Sequence, residues 1–238
     1  VGTHVSRILY SRNATVYISG RSESKANFTT DQIKDEVPKS TGKLVFFKVD
    51  LSDLTTIKAA AEEFTSKETK LHWLDNNAGV MIPPKDSKGA QGLDLQYQTN
   101  ILGPFLLTKL LLPILLKTAQ SKEKGSVRVS WAGSLAIYLQ APKGGVQWKD
   151  GTLAHALNSP PTAYGVSKAA NYFLAYEFGR RFSDKDHVLH NVSSPRLPKN
   201  FILTLSILQS RFSQHGTIPP YQNRIRCNCD VVYRLAHV

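Results

Sequence analysis

Cysteine is almost missing from this chain: only Cys227 and Cys229 occur in 238 residues. One Cys-x-Cys pair excludes a disulfide framework and, without a second pair, a zinc site; no metal is expected. A reducing compartment fits, and cytoplasmic placement is the expectation. Methionine occurs once, as Met81, and the chain opens on Val1. The sequence is therefore expected to start short of its initiator, with any targeting signal lost ahead of it. No apolar run reaches the roughly 20 residues a membrane span needs. The longest, residues 101–116, is interrupted by Gly103, Pro104, Lys109 and Pro113 and suits a buried core helix. Acidic residues are in the minority, 18 against 30 Lys and Arg, for a net charge of +12. Such an excess suits an anionic partner. The basic residues are scattered, without a long basic run or an aromatic–basic repeat, which argues against nucleic acid.

A chain of 238 residues with 41% hydrophobic residues suits one α/β domain, residues 1–238, without internal repeats. Its most informative stretch is Tyr164-Gly165-Val166-Ser167-Lys168, continued by Ala169-Ala170-Asn171-Tyr172-Phe173-Leu174. These residues predict one helix, with Tyr164 and Lys168 on the same face. A free phenol ionises near pH 10, too high for proton transfer around neutrality. A neighbouring ammonium favours the phenolate, so the pair can act as a tuned acid/base. Alone it says little, because this spacing also occurs where an exposed lysine sits beside a half-buried tyrosine.

Three other stretches stand in a telling order. Asn76-Asn77-Ala78-Gly79 follows a hydrophobic strand, Asn100 sits in Gln98-Thr99-Asn100-Ile101-Leu102-Gly103, and Ser134 closes the strand-like run from Ser126. With Tyr-x-x-x-Lys they resemble the short-chain dehydrogenase/reductase family over residues 1–195, most closely its retinol-dehydrogenase-like, NADP-preferring branch. Sugar-nucleotide epimerases share Tyr-x-x-x-Lys but less often carry Asn-Asn-Ala-Gly. The resemblance implies a Rossmann-like doubly wound parallel sheet. It implies Tyr164 as the acid/base and Lys168 as its partner and nicotinamide-ribose ligand. Ser134 would polarise the substrate oxygen, and Asn100 would hold a relay water. Asn77, Ala78 and Gly79 would lie against the cofactor, the asparagine amides holding neighbouring strands. The helix over residues 101–116 and the one carrying Tyr164 would form the interface of a homodimer.

The family begins with a strand and a Thr-Gly-x-x-x-Gly-x-Gly turn. Here Val1-Gly2-Thr3-His4 opens a helix directly, and only Gly2 matches the turn, as its last glycine. The first strand is thus expected to be missing. It is central in a sheet of order 3-2-1-4-5-6, so its neighbours are left either unpartnered or paired with each other. Buried backbone groups without partners cost about 1–3 kcal/mol each. This predicts an alternative to an active enzyme, a catalytically silent fragment lacking the pyrophosphate-binding turn.

Further residues carry two readings each. Arg21 follows the strand at residues 14–19 and, where an acid would accept a ribose hydroxyl, suits the extra phosphate of NADP; otherwise it is an exposed turn arginine. Ser22 serves that phosphate or caps the next helix. Asp50 matches an aspartate near the adenine ring, or caps the helix beginning near Asp53. Lys109 is a minor cofactor candidate, on the helix face opposite Asn100. Residues 44–49 read as a fully buried parallel strand. Asp75 stands where the family has an apolar residue. The segment between Ser134 and Tyr164 holds Leu135, Ile137, Tyr138, Leu139 and Trp148, suiting the wall or lid of a hydrophobic pocket. A small hydrophobic alcohol or ketone is the expected substrate: terpenoid, steroid, retinoid or polyketide. The helix of Tyr164 is expected to end near Phe182, and residues 187–193 to form the sixth strand. Past Pro195 the match fades, with Arg196 in place of a glycine.

Overall fold

The computed structural model describes residues 1–146, 148–149, 152–153 and 159–194. Arg196, Cys227 and Cys229 lie outside them. Helix α1 (Gly2–Tyr10) leads to β1 (Thr15–Gly20), α2 (Glu23–Glu36) and β2 (Lys43–Lys48). Then come α3 (Leu54–Lys67), β3 (Trp73–Asn76), the short α4 (Leu95–Tyr97), a π-helical turn (Gln98–Leu102) and α5 (Gly103–Gln120). Strand β4 (Val127–Ala132), α6 (Ala136–Leu139) and the two-residue strands β5 (Trp148–Lys149) and β6 (Thr152–Leu153) precede α7 (Pro160–Asp186) and β7 (Val188–Ser193).

Local chemistry explains most of the boundaries. Ser22 caps α2 by accepting from Lys25 N, and Asp53 caps α3 by accepting from Thr55 N. Asp50 is not the α3 cap; its Oδ1 instead accepts from Ser52 N and Oγ at 2.8 and 2.6 Å. Two prolines open α7, where a missing N–H is harmless. That helix continues past Phe182 to Asp186 and stops where His187 turns left-handed, at φ 60°.

The strands are parallel and divided into two ladders. β1 pairs with β2, and β3-β4-β7 form a second sheet. Among the described residues no strand lies between β1 and β3, and these two do not pair with each other. A cavity of about 1000 Å³ separates them. Only Phe47 of β2 is fully buried. The fully buried strand expected there is half-buried because its sheet is two strands wide.

Helices supply the continuity that the strands lack. Phe47, Ile57, Phe64, Leu107 and Leu111 form one buried cluster across β2, α3 and α5. A second cluster around Trp131, Leu115, Leu174 and Phe178 packs β4 between α5 and α7. The helical run Leu95–Gln120 is long and apolar enough to cross a membrane by length and composition alone. Here Leu107, Leu111 and Leu115 are buried in the two clusters, as a core helix requires.

Asp75 is largely buried beside the cavity, and desolvation pushes its carboxyl up to about 6. The folded value lies above the ordinary 3.8, so stability falls as pH rises through that window and stays lower above it. Asp75→Asn is expected to stabilise the fold by about 2 kcal/mol near pH 8. The gain should vanish below about pH 4, as urea unfolding at the two pH values would check.

Candidate active site

The carboxyl end of β4 meets the amino-terminal half of α7. Lys168 is 5% exposed, and its Nζ donates to Ala132 O at 3.2 Å. It lies 5.5 Å from the Tyr164 ring centroid, so the predicted shared face holds. Burial lowers the Lys168 ammonium from 10.5 to about 8. Asn171, one turn further on, donates from Nδ2 to the same Ala132 oxygen at 3.1 Å. Nothing in the sequence reading singled out Asn171; its i, i+3 spacing from Lys168 was the available signal.

Asn100 is 1% exposed and sits within the π-helical turn. Its Nδ2 donates to Val80 O at 2.8 Å and to Ser167 Oγ at 3.1 Å. Its Oδ1 accepts from Val80 N at 2.8 Å. Ser167 Oγ in turn donates to Tyr164 O at 2.8 Å. The side chain thus pins the Ala78–Gly79–Val80 loop to α7. A Cβ on Gly79 would sit 2.8 Å from Asn100 Oδ1 and 3.8 Å from Lys168 Nζ, so only glycine lets this backbone close over both. Asn77 lies beside Gly2, whose Cβ would be 3.2 Å from Asn77 Nδ2. Gly2, Asn77, Ala78, Gly79, Asn100, Tyr164 and Lys168 are therefore drawn together. Asn76 differs from its expected role. Its amide donates to Thr108 Oγ1 of α5 at 3.0 Å, tying strand to helix rather than strand to strand.

Ser134 lies two residues beyond β4, half-buried, and its Oγ accepts from Ala136 N at 3.2 Å at the start of α6. The hydroxyl proton remains available for donation. Ser130 is committed elsewhere: it accepts from Trp73 Nε1 and donates to Asn191 Oδ1. Helix α6 packs on α7 because residue 165 is glycine. A Cβ there would stand 2.6 Å from Ala141 N and 2.9 Å from Ala136 O. Leu135, at the N-cap of α6, and Tyr138 and Leu139 within it are exposed, the last at 73%. The Trp148 side chain lies outside the described residues.

Arg21 is exposed just past β1 and lines the cavity with Ser22. Lys109 is exposed on α5, outside this cluster of contacts. The residues present suit a dinucleotide. The uncapped N-terminus of α1 offers free N–H donors beside Asn77. The exposed Ala78–Gly79 backbone and the Lys168 ammonium adjoin it.

Two outcomes follow from this packing. The folded Lys168 value lies below that of a free lysine, so protonation opposes folding. Stability should rise between about pH 8 and about 10.5, and Lys168→Met should flatten that rise in denaturant titrations. Gly165→Ala should force α6 off α7, leaving the far-ultraviolet circular dichroism unchanged while turnover falls about tenfold or more.

Residues 1–133 match the family described as short chain dehydrogenase. A short-chain dehydrogenase/reductase of Phomopsis amygdali is 45% identical over 181 residues, covering 76% of this chain and 54% of that protein. The Emericella nidulans protein pkfC, of the same description, is 44% identical over 181 residues, covering 76% and 57%. The chain spans about half the length of these curated relatives. Solved structures give the same fold. The Pseudomonas aeruginosa RhlG/NADP complex aligns at a TM-score of 0.60 and 22% identity, over 98% of this chain and 84% of that one. An NADH-dependent reductase complexed with NAD aligns at 0.63 and 17%, over 82% and 72%. The matched residues and the identity to these relatives settle the lineage: the chain belongs to the short-chain dehydrogenase family of oxidoreductases.

Proposed function

We propose that this chain is an NADP-dependent oxidoreductase that interconverts an alcohol and a carbonyl on a bulky hydrophobic molecule of terpenoid, steroid, retinoid or polyketide type. The observation that carries the reading is the buried Lys168 ammonium, held by Ala132 O, lying over the Tyr164 ring beneath Gly79. Tyr164 gives its hydroxyl proton to the carbonyl oxygen in reduction and takes it back in oxidation. Lys168 stabilises negative charge on the phenol oxygen and reaches the nicotinamide ribose. Ser134 donates a hydrogen bond to the substrate oxygen and steadies a developing alkoxide. Asn100 fixes the loop over Lys168 and is the relay residue. NADP, when bound, supplies or accepts the hydride.

Arg21, exposed at the end of β1, supports NADP over NAD by pairing with the 2′-phosphate. Gly2, Asn77, Ala78 and Gly79 line the same edge, with Asp50 and Lys109 as outlying contacts. The apolar α6 face supports a hydrophobic substrate. Residues 1–238 act as one domain, in the cytoplasm, and pair with a second copy through α5 and α7. A second reading, a chain that binds no cofactor and is catalytically silent, is favoured by the gap between β1 and β3.

Fluorescence titration with NADPH and NADH separates the two. Saturable NADPH binding, at least about tenfold tighter than NADH, is expected, with Arg21→Asp reversing the order. Tyr164→Phe should bind equally well and lose about 10²–10⁴-fold in turnover. A folded chain that binds neither nucleotide would establish the silent reading.

A further inference from the structure

One buried glutamine ties the loop beyond Gly79 to the start of the helix that carries Tyr164. Gln96 of α4 is 1% exposed. Its Oε1 accepts from Ile82 N at 2.9 Å, and its Nε2 donates to Pro160 O at 3.0 Å. Pro160 opens α7, one turn ahead of Tyr164. Asn100, four residues on in the same helical run, holds Val80 by both its backbone groups and reaches Ser167 further along α7. Two amide side chains therefore fasten residues 80–82 at two points, and each carries the tie across to α7.

The chain between those ties is strained. Ile82 has φ 49°. A β-branched side chain crowds its own backbone in that region, so the conformation persists only where its surroundings impose it. Glycine or asparagine would accept the same turn at little cost. Ile82 is also 45% exposed and Met81 56%, so neither side chain gains what burial gives a core residue. An isoleucine that is both strained and nearly half exposed contributes little to the fold. Its side chain is therefore placed for contact with something outside the chain. The pair stands two and three residues beyond Gly79, whose Cβ position lies 3.8 Å from Lys168 Nζ. An apolar edge is thus tied at one end to the loop over Lys168 and at the other to the start of α7.

We propose that Met81 and Ile82 form a specificity rim that contacts the apolar body of the substrate, and that Gln96 is the positioning residue that holds this rim in register with Tyr164. The ligand class, a bulky apolar ketone or alcohol, rests on the proposed oxidoreductase reading. Gln96 touches no reacting atom and acts through Ile82. A rim of this kind selects by the hydrocarbon area it covers, so it favours a ring system over a small ketone.

Met81 is the one methionine of the chain, so methyl-labelled methionine gives a single carbon signal that reads the rim directly. The full chain is titrated with the bicyclic ketone 1-decalone, with and without NADPH, and with acetone as the small ketone. The expected result is a saturable shift with decalone and a response to acetone at least about tenfold weaker. Gln96→Leu should need about tenfold more decalone, while its NADPH affinity changes by less than about twofold. Ile82→Gly should raise the urea midpoint and weaken decalone binding, opposite signs that a merely structural residue does not give. No decalone shift with or without NADPH would overturn the proposal. So would an unchanged decalone affinity or a parallel loss of NADPH affinity in Gln96→Leu, or a lower urea midpoint in Ile82→Gly. If Gln96→Leu does not fold, Ile82→Gly decides alone. A decalone shift in a chain that binds no NADPH would retain the rim and discard the nucleotide reading.

Discussion

One carbonyl oxygen, that of Ala132, holds the candidate site in register. It ends β4 and accepts from both Lys168 and Asn171. Those two bonds fix the rotation of α7 about its own axis and its height above the sheet. Tyr164, one turn before Lys168, inherits its position from them, and Ser167 passes the same constraint to Asn100 and the Val80 loop. A hydrogen bond from a charged donor contributes about 1.5–3 kcal/mol, and here it also satisfies a buried ammonium with few other partners. The strength of the arrangement lies in its connectivity. β3 and β4 commit their last residues to the helices: Asn76 bonds Thr108 of α5, and Ala132 O accepts from Lys168 and Asn171 of α7.

That commitment has an electrostatic counterpart. Lys168 and Asp75 are each held away from their ordinary ionisation by burial, and His190, stacked on Phe178, is lowered to about 4 for the same reason. None of the three gains from its charge what an exposed group gains from water. Lys168 has a functional use for its position against Tyr164. His190 is better understood as part of the packing around Trp131 and Phe178. Glu177 shows the opposite balance. Burial opposes its ionisation, yet Arg180 and Arg181 outweigh that and hold its carboxyl below the usual range.

Much of this was legible in the residues because it depends on local spacing. Tyr164 and Lys168 sit on one helix face by arithmetic alone. Asn-Asn-Ala-Gly after a strand, and Arg21 after another, mark chain positions that helices and strands fix directly. What stayed hidden depends on contacts across long stretches of sequence. Asn100 meets Ser167 across 67 residues, and no pattern near either residue announces the pairing. Gly165 was visible as a letter in the motif, but its reason is the backbone of α6 lying against it. Asp50 and Asp53 compete for one cap with similar chemistry, and only the turn geometry assigns it to Asp53. The half-buried state of β2 likewise follows from how wide its sheet is, which composition does not encode.

The division of the strands bears on how the molecule comes apart. β1 and β2 share no hydrogen-bonded ladder with β3, β4 and β7, so the two groups communicate chiefly through Phe64, Leu107, Leu111 and their neighbours. Side-chain packing of that kind transmits cooperativity less firmly than a continuous ladder. A smaller side chain at Leu111 would therefore loosen both groups of strands at once, although it belongs to neither.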